Sequence, residues 1–97
     1  MRKVKASPPA DSYEVRTLES LGQIVRHRRT TSALRLDDAA ALCGLAAGSL
    51  SNLENGKRAI SADKLLKILD GLGLAMLIVP REEAANLPPI LNAERLP

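Results

Sequence analysis

Apolar residues recur at helical spacing over three stretches of the chain and run together in a fourth. Leu18, Leu21, Ile24 and Val25 fall at i, i+3, i+6 and i+7, which predicts a helix capped by Thr17 and running to about Thr31. Between Leu36 and Arg58, LDDAAALCGLAAGSLSNLENGKR reads as two short helices broken at Gly44. Helices that cross near a right angle over a short turn need a small side chain where they touch and a residue tolerant of positive φ at the bend. Ala40 and Gly44 meet those needs. Leu50 and Leu53 share one face of the second helix and bury it against Ala39, Cys43 and the first, and Asn55 and Gly56 stop it. Ser61 caps a further helix from Ala62 to about Gly71, where Leu65, Leu66, Ile68, Leu69 and Leu72 complete the core. Gly71 and Gly73 end it.

The pattern changes at Leu74, Ala75, Met76, Leu77, Ile78 and Val79, six apolar residues stopped by Pro80, and this run reads as a buried strand. A lone strand cannot satisfy its backbone, and nothing else in the chain reads as its partner. The economical solution is the same strand of a second copy, which predicts a two-fold homodimer with Leu74, Met76, Leu77, Ile78 and Val79 at the seam. The other reading is an apolar tail that closes the monomer's own core. Residues 1–16 carry Arg2, Lys3, Lys5 and Arg16 against Asp11 and Glu14, with Pro8 and Pro9 between and no periodicity. They read as a flexible basic arm, either laid along phosphates or a minor groove or left as a solvated leader. Residues 81–97 read as a disordered tail, whose scattered apolar residues either order on a partner or go unused. The helical domain is then 17–73 and the strand 74–80.

A chain of 97 residues is one domain with a small core, and its net charge of +3 leans toward an anionic partner. Tyr13 is its only aromatic residue, so stacking platforms for single-stranded nucleic acid are nearly excluded. Cys43 has no second cysteine to pair with and reads as a small buried hydrophobe in a reducing cytosol. No apolar run reaches the ~20 residues of a membrane span, and no signal-peptide core stands at the N-terminus, so a cytoplasmic chain without a membrane partner is expected. His27 is a lone histidine without metal-ligand neighbours and reads as a surface residue. Asp37 and Asp38 suit the first turn of a helix better than paired-carboxylate catalysis. With no catalytic triad, phosphate-cradling loop, metal cluster or cofactor fingerprint, an enzyme is not expected, nor a cofactor.

The paired helices form a helix-turn-helix whose second member leaves Ala47, Gly48, Ser49 and Asn52 on its small, polar outer face. Such a face can enter a major groove. With Glu54, Asn55, Gly56 and Lys57 closing the second helix, Thr17 to Gly73 resembles the lambda-repressor-like, or Xre-type, DNA-binding domain. The resemblance implies an all-α, four- to five-helix fold, to which the apolar run after it would add a short C-terminal strand paired across a homodimer. It places Ala47, Gly48, Ser49 and Asn52 against bases, and Arg29 in an ion pair with Glu54. Asn52 is the best reader, since its amide can bond adenine N6 and N7 together for about 1–3 kcal/mol of discrimination. Lys57 and Arg58 are either phosphate contacts or plain surface charge, and Arg35 is a further phosphate candidate. The family pattern favours glycine near Ala33, a capping threonine at Arg35, a glutamine at Leu36 and a capping serine or threonine at Ala46. This chain departs at all four.

The run Leu72-Gly73-Leu74-Ala75-Met76, the motif LSNLEN and a strand after the last helix resemble one branch, the HipB-type antitoxins of HipA-kinase toxin pairs. That likeness implies an autoregulating repressor of double-stranded operator DNA with a HipA-like kinase toxin as partner. Two recognition helices about one DNA turn apart would then read a palindrome. The alternatives are a free-standing Xre-type regulator and a protein-interaction adaptor on the same scaffold. Leu36, Ala46, Ala47 and Gly48 favour the adaptor; Ser49, Asn52, Lys57 and Arg58 favour DNA.

Overall fold

The computed structural model describes residues 3–10 and 12–87. Five helices follow in order: α1 (Leu18–Thr31), α2 (Leu36–Cys43), α3 (Ala47–Asn55), α4 (Ala62–Gly71) and the single turn α5 (Arg81–Ala84). Helix α1 starts in a capping box, with Thr17 Oγ1 accepting from Ser20 N at 3.0 Å and Ser20 Oγ accepting from Thr17 N at 3.4 Å. Helix α4 starts on Ser61, whose hydroxyl accepts from Lys64 N at 3.3 Å. Gly44 and Gly56, at φ of 72° and 63°, close α2 and α3 in the left-handed region.

Val25 of α1, Ala39, Ala40 and Cys43 of α2, Leu50 and Leu53 of α3, and Ile68 and Leu72 in and just after α4 form one core cluster. Two of the residues assigned to apolar stripes are exposed. Leu66 is 51% exposed and Leu18 is 40% exposed, because Leu66 turns away from the face shared by Leu65, Ile68 and Leu69, and Leu18 sits on the open first turn. Burial pushes the Cys43 thiol above its usual range, and the Asp70 carboxylate adds to the shift.

Two glycines set how closely the helices meet. A side chain on Gly22 would collide with the backbone carbonyls of Leu53 and Glu54, so α1 lies directly on the last turns of α3. A β-carbon on Gly71 would come within 2.7 Å of Cys43 Sγ, where α4 meets α2. Arg28 ties the far end of the bundle, donating from Nε to the Leu72 carbonyl at 2.7 Å.

The basic arm meets α1 partway along. Ser7 N donates to Thr30 Oγ1 at 2.8 Å, and the Ser7 carbonyl lies 2.8 Å from His27 Nδ1. A carbonyl only accepts, so that ring nitrogen carries the proton. Ala10 is buried. Met1, Arg2 and Asp11 of the arm lie outside the described residues, as do Pro88–Pro97 of the tail.

The expected strand does not form within one chain: among the described residues there is no strand, and residues 74–80 have no regular secondary structure. Leu74 N still bonds the Leu69 carbonyl at 2.8 Å, but beyond it no second apolar run is available to pair with. The α5 turn lies within the segment read as a disordered tail; Pro80 stands at its N-cap with Glu82 and Glu83 in the first turn, an arrangement that suits the helix dipole.

The turn after α1 carries a conformational cost. Ala33 sits at φ 58°, where the β-carbon of an L-residue crowds the following carbonyl. Ala33→Gly is expected to gain about 1 kcal/mol and raise Tm by several degrees; a lower Tm would contradict this. Gly22→Ala should lose about 1–3 kcal/mol in urea melts, because the obstacle is backbone that cannot rotate away.

Candidate nucleic-acid interface

Helix α3 divides cleanly between two environments. Leu50, Leu53 and Glu54 are buried, while Gly48 and Asn55 are exposed and Asn52 is half-buried. At about 100° per residue, Gly48, Asn52 and Asn55 share one strip opposite the buried face. Among the described residues the Asn52 amide makes no hydrogen bond, so its donor and acceptor are both available. Ser49 flanks the strip, half-buried, its N–H bonded to the Ala46 carbonyl at 3.1 Å. Ala47 instead packs partly against the core. A β-carbon on Gly48 would meet nothing within 4 Å, so the protein's own packing does not require glycine there.

Both helices of the motif begin without a side-chain cap, at Arg35 and Ala46. Arg35 is exposed and gives Nε to Asp38 Oδ2 at 3.2 Å, leaving part of its guanidinium outward. Asp37 and Asp38 stand in the first turn of α2, where their charge suits the dipole. Lys57 and Arg58 are exposed on the loop after α3 and pair with no carboxylate among the described residues.

The end of α3 is anchored through charge. Arg29 donates Nε to Glu54 Oε2 at 2.6 Å, Nη2 to Oε1 at 2.9 Å, and Nη1 to the Leu34 carbonyl at 2.8 Å. Charged bonds of this fork geometry are the stronger kind. The Glu54 side chain is 2% exposed and that of Arg29 is 12%. Arg26, one turn earlier on α1, joins the same carboxylate. Its Nε lies 3.2 Å from Glu54 Oε1, and its Nη2 donates to Asn55 Oδ1 at 2.7 Å. The available signal was its spacing, three residues before Arg29 on one helix face.

Among the described residues no group of three or more His, Cys, Asp or Glu side chains could hold a metal ion, and no helix is long and apolar enough to cross a membrane. A family model described as a helix-turn-helix domain matches residues 20–85, more than half of the chain. The chain belongs to this family.

Among solved structures, this helix-turn-helix protein is similar to the restriction-modification controller protein C.AhdI from Aeromonas hydrophila. The two are 31% identical over 60% of this chain and 84% of that one, with a TM-score of 0.56. HipB, in a HipA-HipB-O2-O3 complex, is 20% identical over 70% of this chain and 96% of its own, at a TM-score of 0.63. The hypothetical transcription factor NHTF from Neisseria is 21% identical, covering 87% of this chain and 98% of its own, at 0.64. The last two carry the likeness of fold, which is lambda-repressor-like. No curated protein matches. Two of these neighbours are described as a restriction-modification controller and a hypothetical transcription factor.

Glu54→Gln removes the charge that two arginines share while leaving their guanidinium groups in place. We expect a loss of about 3 kcal/mol by urea denaturation, the usual cost of breaking a buried pair on one side. A loss below about 1 kcal/mol would mean that the pair behaves as a surface contact.

Proposed function

We propose that the protein is a dimeric, sequence-specific DNA-binding repressor that acts on its own operator and serves as the antitoxin of a HipA-like kinase. The observation that carries the DNA reading is the two-sided character of α3. Its inner face is locked by Leu50, Leu53 and Glu54, and its outer strip of Gly48, Asn52 and Asn55 lies on the opposite side beside the exposed Lys57 and Arg58. In this reading Asn52 reads a base, Ser49 adds an undiscriminating hydroxyl, and the bare backbone at Gly48 lets the helix come close. Ala47, partly turned to the core, offers a methyl edge. Lys57, Arg58 and Arg35 hold phosphates and so set register.

Dimerisation is supported by the segment after α4. Met76, Leu77 and Ile78 are 51%, 59% and 83% exposed, and from Ala75 to Val79 no backbone–backbone hydrogen bond is made among the described residues. Unpaired backbone beside exposed apolar side chains is the signature of a strand edge awaiting a partner. The segment borders an open groove of about 1180 Å³ that Tyr13, Val15, Ile24 and Leu65 also line, so a second copy pairing along 74–79 would cover both. The toxin partner rests on likeness of fold to HipB, solved with HipA, and on the shared chain pattern; it is an inference by analogy.

The deciding experiment is fluorescence anisotropy on the DNA upstream of the protein's own gene against a scrambled duplex. Selective binding supports the repressor. Equal binding to both duplexes would favour the adaptor, consistent with so few hydrogen-bonding side chains on α3. A kinase-like protein co-purifying with the chain, or encoded beside it, would support the antitoxin over a free-standing regulator.

Asn52→Ala should weaken operator binding by about 1–3 kcal/mol and leave random DNA untouched. Lys57→Ala should weaken both alike and flatten the salt slope by about one unit. Equal effects of the two substitutions on both duplexes would remove Asn52 as the reader. Ile78→Asp should yield a monomer by sedimentation equilibrium, with the helical circular dichroism retained; a dimer that persists would place the interface elsewhere.

A further inference from the structure

Two arginines converge on Glu54, and only one is used up there. Arg29 commits Nε and both terminal nitrogens to Glu54 and the Leu34 carbonyl, with its side chain 12% exposed. Arg26 commits two donors, Nε to Glu54 Oε1 at 3.2 Å and one on Nη2 to Asn55 Oδ1 at 2.7 Å, with its side chain 40% exposed. A guanidinium has five N–H donors, so three on Arg26, including both on Nη1, have no acceptor among the described residues. Charge gives the same answer. Two guanidinium groups and one carboxylate leave one positive charge, and Arg29 already holds the carboxylate from both sides. The excess belongs to Arg26, at the surface.

Position and stiffness complete the case. Asn55 lies on the outer strip of α3 with Gly48 and Asn52, and Gly56, Lys57 and Arg58 follow it directly. Its own Nδ2 donates to the Ser51 carbonyl at 2.9 Å, which fixes the amide with its oxygen toward Arg26. The fork of Arg26 is therefore tethered at two points to the end of α3, one of them the buried, ion-paired Glu54, so little side-chain freedom remains to be lost on binding.

We propose that Arg26 is a phosphodiester-binding site, supplied by α1 and aimed by Glu54 and Asn55, that adds a backbone contact beside those of Lys57 and Arg58. The site rests on the DNA-binding reading above. A planar fork with free parallel donors matches two phosphate oxygens, and phosphates flank a helix seated in the major groove.

The test is anisotropy with the full chain on the upstream and scrambled duplexes across a salt series, with single methylphosphonates walked along the upstream duplex. Arg26→Gln is expected to flatten the slope of log K against log salt by about 0.9 on both duplexes. Arg26→Lys, which keeps the charge and loses the fork, should bind more weakly with the slope unchanged. One methylphosphonate position should weaken the wild-type protein and not Arg26→Gln. Thermal melts accompany each variant; if Arg26→Gln does not fold, Arg26→Lys provides the same comparison, because loss of the fork should blunt sensitivity at that one methylphosphonate. A wild-type protein that binds while neither the slope nor the methylphosphonate pattern depends on Arg26 would overturn this site alone. A wild-type protein that binds neither duplex would overturn the DNA reading, and the site with it.

Discussion

Helix α3 is held from behind by a buried carboxylate and the guanidinium that meets it. A carboxylate as deep as Glu54 carries a desolvation cost that only well-made bonds offset. Arg29 provides two of them, and spends its remaining terminal nitrogen on the Leu34 carbonyl, at the entrance to α2. One side chain therefore joins α1, the end of α3 and the start of the helix-turn-helix. Gly22 makes the geometry possible, because any larger residue would hold α1 away from the Leu53 and Glu54 backbone.

Local preferences do little to support this motif. Neither α2 nor α3 has a side-chain cap, and the turn leading into them holds an alanine at φ 58°. Helices of eight and nine residues are too short to persist alone in water. What keeps them is packing: Ala39, Ala40 and Cys43 against Leu50 and Leu53, and Ile68 and Leu72 beyond. The outer face of α3 is thereby relieved of structural duty. Gly48 illustrates this, since nothing inside the protein crowds it.

Helix positions were legible because they follow from spacing. The stripe from Leu21 to Val25, the glycine corner at Gly44 and the caps at Thr17 and Ser61 each have a local cause. What spacing could not reveal was how the elements meet. Gly22 looks like a weak point in a helical stripe, and its meaning lies in a carbonyl thirty residues away in sequence. Arg26 and Arg28 sit among four consecutive basic or imidazole side chains, yet one reaches Glu54 and Asn55 while the other reaches the Leu72 carbonyl. Leu66 reads as core by type, although its register turns it to solvent. The run from Leu74 to Val79 has strand composition, but a strand is a relation between two segments, and among the described residues no second segment pairs with it.

Helix α1 bridges the two regions on which the proposed function rests. Through Arg26 and Arg29 it grips α3, and through Arg28 it grips the Leu72 carbonyl, immediately before the segment proposed to pair with a second copy. The same fourteen-residue rod thus connects the face of α3 proposed to meet DNA to the segment proposed to meet a second copy. In such a dimer α1 acts as a ruler: its length and tilt would fix how far apart the two reading helices stand, and so the distance between half-sites that the pair can span.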